Sequence, residues 1–317
     1  MLARWDERAK EPALRARRAL ERLLDGVRGS SRGESAWRAS RLTPNGYPLE
    51  LAFATDERAL RYTAEIAAPE AEPAGRLARA RELLRALGAG ELPESEFSRY
   101  ESLQRGAELH WGTWIGGRHD AGGDRYKLYV EVAKAGYEEL VREWLGERAL
   151  LERAGLRLVM IGQELPSGRR ELYFHAGELA WWEIARLLGR FGLAAREEEL
   201  AKWMDALWGR RVRQWLARER GGDFGFSVSP ATESKPLVLT LLARAPRVLG
   251  DDARAREKLL GVASRFAVDL SDYEVLSGAL GSASGGSHHG MIGIAIAEVG
   301  GLRLQVGIEP CVPGLGG

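Results

Sequence analysis

Pairs of short alternating segments recur along the chain, and helical patterns separate each pair from the next. Within a pair the two segments are joined by a short turn, which predicts an antiparallel hairpin. The five predicted pairs are 49–54 with 60–66, 108–115 with 125–132, 156–163 with 169–175, 223–229 with 236–242, and 291–297 with 302–309. Hairpins that return at this spacing predict a repeat of helix, helix, strand and strand.

The segments between the hairpins carry the periodicity of amphipathic helices. They are residues 5–28, 74–88, 136–154, 177–190, 195–219 and 251–266. Two glycine-rich stretches interrupt the pattern: GGRHDAGGD (116–124), the predicted turn of the second hairpin, and the predicted loop 278–290. Ten antiparallel strands in one sheet tend to curl or close, and helices between the hairpins then lie outside. We therefore predict an α+β fold, a ten-stranded antiparallel β-barrel with its helices outside.

The second strand of each hairpin alternates polar and apolar side chains with period two. In RYKLYVEV (125–132), one face carries Arg, Lys, Tyr and Glu, and RRELYFH (169–175) and LRLQVGIE (302–309) repeat the pattern. The apolar face must meet the helices, so the polar face is expected to line the closed sheet. Burying unpaired charges costs several kcal/mol each, so such a barrel is expected to hold water or a ligand. An open sheet with a solvated face is the alternative.

Composition excludes several classes of protein. The 317 residues include 46 Lys plus Arg and 45 Asp plus Glu, and this near-neutral balance argues against a nucleic-acid partner. The single cysteine, Cys311, excludes an internal disulfide and any multi-cysteine metal site. No run approaches about 18 apolar residues, and the charged start of the chain has no secretory pattern. We expect a soluble, cytoplasmic protein with no membrane partner.

Three segments carry a resemblance to a known family. RLTPNGYPLELAFATDERALRYTAEI (41–66) contains Pro-Leu-Glu followed by an arginine on the next strand, RYKLYVEV contains Lys-x-Tyr, and RRELYFHA (169–176) contains an Arg and a Tyr four residues apart. All three resemble the ABBA-type aromatic prenyltransferases (PT barrels), closest to the indole or dimethylallyltryptophan synthase type and, in chain length, to the cyanobactin peptide prenyltransferases. The resemblance spans about residues 36–310. It implies one barrel domain over 1–317, with an N-terminal helix (1–35), barrel repeats (36–310) and a short tail (311–317).

The resemblance implies an enzyme that moves an allylic prenyl group from a prenyl diphosphate to an electron-rich acceptor by Friedel–Crafts-type alkylation. The leaving diphosphate needs fixed cations, and Arg and Lys bind phosphate oxygens well. Matched motifs assign this role to Arg61, Lys127 and Arg169, with Arg125 and Arg303 in reserve. The donor is expected to be dimethylallyl, geranyl or longer.

Aromatic faces stabilise an allylic cation and exclude water. The Lys-x-Tyr strand and RRELYFHA (169–176), which resembles an Arg-x-Lys-x-Tyr strand, provide Tyr129 and Tyr173 for this role. Trp111 and Trp114 are candidates for the acceptor pocket, although their odd spacing predicts that only one faces inward. Glu50 is the predicted catalytic residue, which accepts a hydrogen bond from the acceptor and takes its proton.

The chain departs from the family pattern at three positions. Glu171 stands where the family has Lys, and Thr240 and Gly307 stand where it has aromatic residues of the prenyl pocket. A glycine in a strand interior marks a place of close approach, so Gly307 predicts a larger chamber. The same departures motivate the alternative hypothesis, a catalytically degenerate barrel that binds a ligand without turnover.

No metal site is predicted. The chain has no Asp-Asp-x-x-Asp motif, and Asp251 and Asp252 stand at a predicted helix start, where Asp is a favoured cap. His288 and His289 have no third ligand at a helpful spacing. We therefore expect no required cofactor, with Mg²⁺ optional, and an aromatic small molecule or a peptide side chain as acceptor. A nucleic-acid or interaction module built on the Arg-rich helices is opposed by the balancing Glu residues.

Overall fold

The computed structural model describes residues 10–133, 137–146, 156–218, 221–278, 280 and 287–310, without the side chains of 217, 218, 221 and 222. Several predicted features lie outside the described residues. These are the start of the first helix, both ends of the helix 136–154, most of the loop 278–290, Cys311 and the tail 311–317.

Ten strands form a closed barrel in the order β1-β10-β9-β8-β7-β6-β5-β4-β3-β2. The strands are β1 Leu49–Ala54, β2 Leu60–Ala64, β3 Thr113–Asp120, β4 Gly123–Glu131, β5 Arg157–Leu165, β6 Arg170–Leu179, β7 Gly221–Ser229, β8 Val238–Arg244, β9 His289–Ala297 and β10 Arg303–Ile308. Closure confirms the predicted barrel, and the open-sheet alternative is wrong. The predicted hairpins are present in the predicted order.

The helices fall between the hairpins. They are α1 Lys10–Leu23, α2 Asp25–Arg28, α3 Arg76–Ala86, α4 Glu94–Gln104, α5 Glu138–Leu145, α6 Trp181–Arg190, α7 Glu197–Trp208, α8 Val212–Arg218, α9 Ala245–Val248, α10 Asp252–Phe266 and α11 Ser271–Leu276. Asp251 caps α10 as predicted, because its side chain accepts a hydrogen bond from the Arg254 N–H at 2.9 Å. No helix in the described part of the chain is long and apolar enough to cross a bilayer.

The second hairpin corrects one prediction. Strand β3 runs through Gly116–Asp120, which the sequence assigns to a turn, and only residues 121 and 122 separate β3 from β4. The glycines serve close packing instead. A Cβ on Gly117 would lie 2.3 Å from Cζ of Tyr62, and a Cβ on Gly116 would lie 2.9 Å from Cε2 of Tyr129. Both tyrosine rings therefore need the bare backbone of β3 beneath them.

Contacts divide the chain into two compact units, Met1–Ala52 with Arg58–Ala135 and Val159–Arg170, and Phe53–Glu57 with Gly136–Leu158 and Glu171–Gly317. The first holds β2–β4 and most of β1 and β5, and the second holds β7–β10 and nearly all of β6. The single domain proposed over 1–317 stays a prediction.

In the first unit, helices α1 and α3 pack against the hairpins. The outer strand face buries apolar side chains such as Ile115, Leu128 and Val130, each with no exposed surface. Three polar side chains form a chain of contacts across this core, which we call a polar chain. The Tyr62 hydroxyl lies 3.1 Å from His119 Nε2, and His119 Nδ1 lies 2.9 Å from Asp124 Oδ1. Burial lowers the pKa of His119, so its neutral ring is the stable form.

In the second unit a similar polar chain joins the start of α10 to β9. Asp252 accepts hydrogen bonds from Nδ1 of His288 at 2.9 Å and of His289 at 2.6 Å. Nε2 of His289 lies 2.9 Å from the Tyr273 hydroxyl. Burial opposes ionisation of Asp252, but these hydrogen bonds outweigh it and hold its pKa at about 2. The two histidines therefore hold the start of the last hairpin against the start of α10.

Candidate active site

A row of inward-facing residues crosses five strands of the first unit. Directly paired residues share one face of a sheet. Glu50 pairs with Thr63, Thr63 with Gly116, Gly116 with Lys127, and Lys127 with Glu164. We call this set the Glu50 row. It places Glu50 and Lys127 on one face, as predicted, and puts only the small residues Thr63 and Gly116 between them.

A second row, which we call the arginine row, lies two residues further along the strands and therefore on the same face. Arg61 pairs with Arg118, and Arg118 pairs with Arg125. Asp120 contacts two of them: its Oδ2 lies 2.6 Å from Arg125 Nη2 and 3.3 Å from Arg118 Nε. Arg61 and Arg125 were predicted at this face. Arg118 was missed because its segment was assigned to the turn.

Tyr129 lies beside the Glu50 row. Its ring covers Gly116, and Lys127 Nζ lies 5.3 Å from the ring centroid, within cation–π range. The ring therefore stands next to the gap between Glu50 and Lys127. This is where a cation shield is expected to stand, and that role stays a prediction.

Arg169 stands at the turn before β6. Its backbone carbonyl accepts a hydrogen bond from the Glu164 N–H at 2.8 Å, which places it at the end of the Glu50 row. The next residue, Arg170, bonds Glu96 of α4 at 2.8 Å and so points toward the helices. Because successive side chains alternate, Arg169 points to the inner face. Four predicted cations, Arg61, Arg125, Lys127 and Arg169, thus share the inner face of the first unit.

The two tryptophans correct a second prediction. Their spacing predicts opposite faces, yet the rings of Trp111 and Trp114 stack with centroids 3.7 Å apart and planes within 11°. Trp111 precedes β3, and Gly112 between them has φ of +75°. A Cβ on Gly112 would lie 2.2 Å from the Pro73 carbonyl oxygen, so only glycine fits. Trp114 pairs with Tyr129, which brings the stacked indoles beside the predicted prenyl pocket.

Glu131 holds the segment that carries Trp111. Its carboxylate accepts hydrogen bonds from three consecutive backbone N–H groups, those of His110, Trp111 and Gly112, at 3.0, 2.7 and 2.6 Å. The side chain is 4% exposed. Sequence alternation placed Glu131 on the polar face but gave no sign of this role, because the three donors belong to a segment distant in the chain.

A second buried carboxylate, Glu65, lies near this end of the barrel. Glu65 Oε1 lies 2.5 Å from Arg76 Nη1, and Oε2 accepts from the Ser40 hydroxyl at 2.9 Å. Burial raises the pKa of Glu65, and Arg76 opposes that shift. Glu65 is therefore committed to an ion pair that fixes the start of α3.

In the second unit, a row of directly paired residues crosses strands β6 to β10. Tyr173 pairs with Ser227, Ser227 with Thr240, Thr240 with Ala295, and Ala295 with Arg303. Thr240 is 3% exposed, whereas Arg303 is exposed at the start of β10. These five therefore share the predicted face. Their roles stay predictions.

Two of the departures from the family pattern also lie in the second unit. The hydroxyl of Ser227 donates a hydrogen bond to Glu171, which satisfies the carboxylate within the strand pair. Gly307 is buried and faces a β-bulge: Val306 pairs with Ile292, but Ile308 pairs with His289. Bulges are common beside active sites, where they redirect a strand.

No protein-family model and no curated protein matches the chain, whereas solved structures do. The 6-dimethylallyltryptophan synthase from Micromonospora olivasterospora, in complex with DMASPP and Trp, is 19% identical with a TM-score of 0.72. The alignment covers 95% of this chain and 94% of that one. The chain has the prenyltransferase-barrel fold.

Two further prenyltransferase barrels agree. The 5-dimethylallyltryptophan synthase from Streptomyces coelicolor, in complex with DMASPP and Trp, is 14% identical with a TM-score of 0.71, covering 96% of this chain and 93% of that one. PriB in its binary complex with product diphosphate is 17% identical with a TM-score of 0.69, covering 95% and 90%. At these identities the likeness establishes the fold, and the activity must be argued from the site.

Proposed function

We propose that this protein is an aromatic prenyltransferase that alkylates an electron-rich ring with an allylic diphosphate. The Glu50 row carries the proposal, because it sets a carboxylate and an ammonium on one face with only Thr63 and Gly116 between them. Neighbours of the same fold were crystallised with DMASPP and Trp, which supports this donor and acceptor class.

Positively charged side chains are proposed to promote ionisation of the prenyl donor. The C1–O bond of the prenyl diphosphate breaks, and the electron pair leaves on the diphosphate oxygen. Fixed cations that face this oxygen stabilise the developing negative charge without rearranging. Arg61, Lys127 and Arg169 are proposed to do this, with Arg125 in support. They supply the charge that a metal ion supplies elsewhere, so we propose that Mg²⁺ is not required, although it is accepted.

The allylic cation needs protection until the acceptor attacks. The face of an aromatic ring stabilises a cation electrostatically and keeps water from it. Tyr129 is proposed for this role because its ring covers Gly116, beside the gap between Glu50 and Lys127. Tyr173 is proposed for the same role.

The acceptor ring attacks C1 with a carbon atom, and that carbon then loses its proton to restore aromaticity. Glu50 is proposed to accept a hydrogen bond from the ring N–H or hydroxyl, which raises the electron density of the ring, and to receive the proton. The stacked indoles of Trp111 and Trp114 offer a flat apolar surface for such a ring. A tryptophan-like acceptor is proposed first and a peptide side chain second. We place the reaction in the cytoplasm.

Glu50→Gln is expected to lower kcat about 10²-fold and leave KM for the donor unchanged. The amide still accepts a hydrogen bond but cannot take a proton. Steady-state kinetics with the identified donor and acceptor measure the effect. Glu72→Gln, at an exposed carboxylate outside the barrel strands, is the matched control. Equal rates for both variants would remove Glu50 from the mechanism.

Gly307→Trp is expected to shift donor preference toward dimethylallyl diphosphate, because a large side chain refills the space that the missing aromatic leaves. Competition between dimethylallyl and geranyl diphosphates in one reaction measures the product ratio. Gly301→Trp, in the exposed turn before β10 where a Cβ meets nothing within 4 Å, is the control. An unchanged product ratio in Gly307→Trp would contradict the larger chamber.

A mass-spectrometric transfer assay tests the proposed function directly. Purified protein is offered dimethylallyl, geranyl and farnesyl diphosphates, each with tryptophan, simple phenols and short Trp- or Tyr-containing peptides, with and without EDTA. A product whose mass increases by one prenyl group supports the proposal and identifies the donor, and activity in EDTA supports metal independence. Absence of product from every pair opposes it.

The second candidate function is ligand binding without turnover. Three inner-face carboxylates favour it: Asp120 contacts the arginine row, Glu164 pairs with Lys127, and Glu171 replaces the family's Lys. Each reduces the positive charge available to a leaving diphosphate. This candidate predicts that the protein binds pyrophosphate in calorimetry but gives no product in the transfer assay.

A further inference from the structure

Arg118 occupies an unfavourable position for a purely structural residue. It lies directly between Arg61 and Arg125 in the arginine row, on strands about 4.8 Å apart. Like charges that face each other across strands destabilise a sheet. Local rules of this kind are broken mainly at functional sites, where the strain serves a ligand.

The neighbours of Arg118 along β3 show toward which face of the sheet its side chain points. Its neighbours along β3, Gly117 and His119, lie beneath the helices against Tyr62, so Arg118 points to the opposite, inner face. Its side chain is 35% exposed, and its Nε lies 3.3 Å from Asp120. Asp120 also bonds Arg125, and Glu164 Oε1 lies 3.9 Å from Arg125 Nη1. The three arginines outnumber these two carboxylates.

We propose that Arg118 is a further donor-binding residue, which contacts the diphosphate of the prenyl donor together with Arg61 and Arg125. The proposal rests on the proposed function. A guanidinium offers a planar pair of N–H donors that suits phosphate oxygens. Asp120 acts as the counter-ion of the row while the donor is absent, and the diphosphate takes over that role when it binds.

Calorimetric titration with inorganic pyrophosphate tests the proposal without any transfer step. Arg118→Gln is expected to weaken binding roughly 10- to 100-fold, the effect of losing a hydrogen bond to a charged group. Arg118→Lys keeps the charge but loses the planar pair of N–H donors. Its affinity for pyrophosphate should therefore lie between those of the wild type and Arg118→Gln. Arg170→Gln is the matched control, because Arg170 is an arginine that bonds Glu96 of α4 outside the barrel.

Asp120→Asn is expected to change the affinity for pyrophosphate in the opposite direction from Arg118→Gln. Removing the competing carboxylate should strengthen pyrophosphate binding several-fold, which a loss of folding does not imitate. In the transfer assay, Arg118→Gln should raise KM for the donor and leave KM for the acceptor unchanged.

Equal pyrophosphate affinity in wild type, Arg118→Gln and Arg170→Gln would overturn the proposal. Should Arg118→Gln not fold, the comparison of wild type, Arg118→Lys and Asp120→Asn decides in the same way. Failure of the proposed function looks different: wild-type protein then binds no pyrophosphate and gives no product.

Discussion

Lys127→Ala is expected to lower kcat/KM for the prenyl donor by about 10²- to 10³-fold, the usual cost of removing one group that stabilises developing charge. Lys127 pairs with Gly116 and Glu164 and lies 5.3 Å from the Tyr129 ring centroid, so its loss affects both the proposed diphosphate contact and the proposed cation shield. The diphosphate loses a point charge, and Tyr129 loses the ammonium beside its ring. Steady-state kinetics with the donor varied at a fixed acceptor concentration measure the combined loss.

The control for Lys127→Ala is Lys202→Ala, which removes the same side chain from an exposed position on α7. Lys127→Arg keeps the positive charge and should recover part of the activity, because arginine also binds phosphate. A Lys127→Ala enzyme within about threefold of Lys202→Ala would be inconsistent with a diphosphate contact at Lys127, since loss of a charged contact to the transition state costs far more.

Glu131→Ala is expected to destabilise the protein by roughly 4 kcal/mol, because it leaves buried donors without an acceptor, at about 1–3 kcal/mol each. The donors are the N–H groups of His110, Trp111 and Gly112. Chemical denaturation followed by tryptophan fluorescence measures the free energy of unfolding. The same change should separate the indoles of Trp111 and Trp114, so acceptor affinity should fall in whatever protein stays folded.

Glu131→Gln is the conservative comparison, because its amide keeps one carbonyl oxygen for the three donors. It should fall between the wild type and Glu131→Ala in stability. Glu72→Ala, at an exposed carboxylate, should change stability by less than about 0.5 kcal/mol. A Glu131→Ala protein as stable as Glu72→Ala would mean that water replaces the carboxylate at little cost.

Much of the barrel follows from local pattern. Alternation with period two follows from the geometry of a strand itself. It therefore predicted the hairpins and the shared face of Glu50, Arg61 and Lys127. The register then confirmed that shared face, because Glu50 and Lys127 lie in one row of directly paired residues. Short turns fixed the antiparallel pairing without any knowledge of distant contacts.

The remaining features depend on partners that are distant in the chain. Gly116 and Gly117 suggest a turn by composition, but they lie in β3 because the rings of Tyr129 and Tyr62 cover them. That error hid Arg118. The stacking of Trp111 on Trp114 depends on Gly112, whose backbone turns against Pro73. Glu131 likewise accepts hydrogen bonds from backbone N–H groups about twenty residues upstream, and no local pattern reveals that contact.

The two polar chains of the core provide a way to follow each compact unit separately. In both, an aspartate fixes the proton on Nδ1 of a buried histidine, and a tyrosine hydroxyl meets Nε2. Such a ring proton exchanges slowly with solvent and resonates away from the backbone amides. His119 therefore reports on the first unit and His289 on the second. Their exchange rates distinguish a barrel that opens all at once from one that opens half at a time.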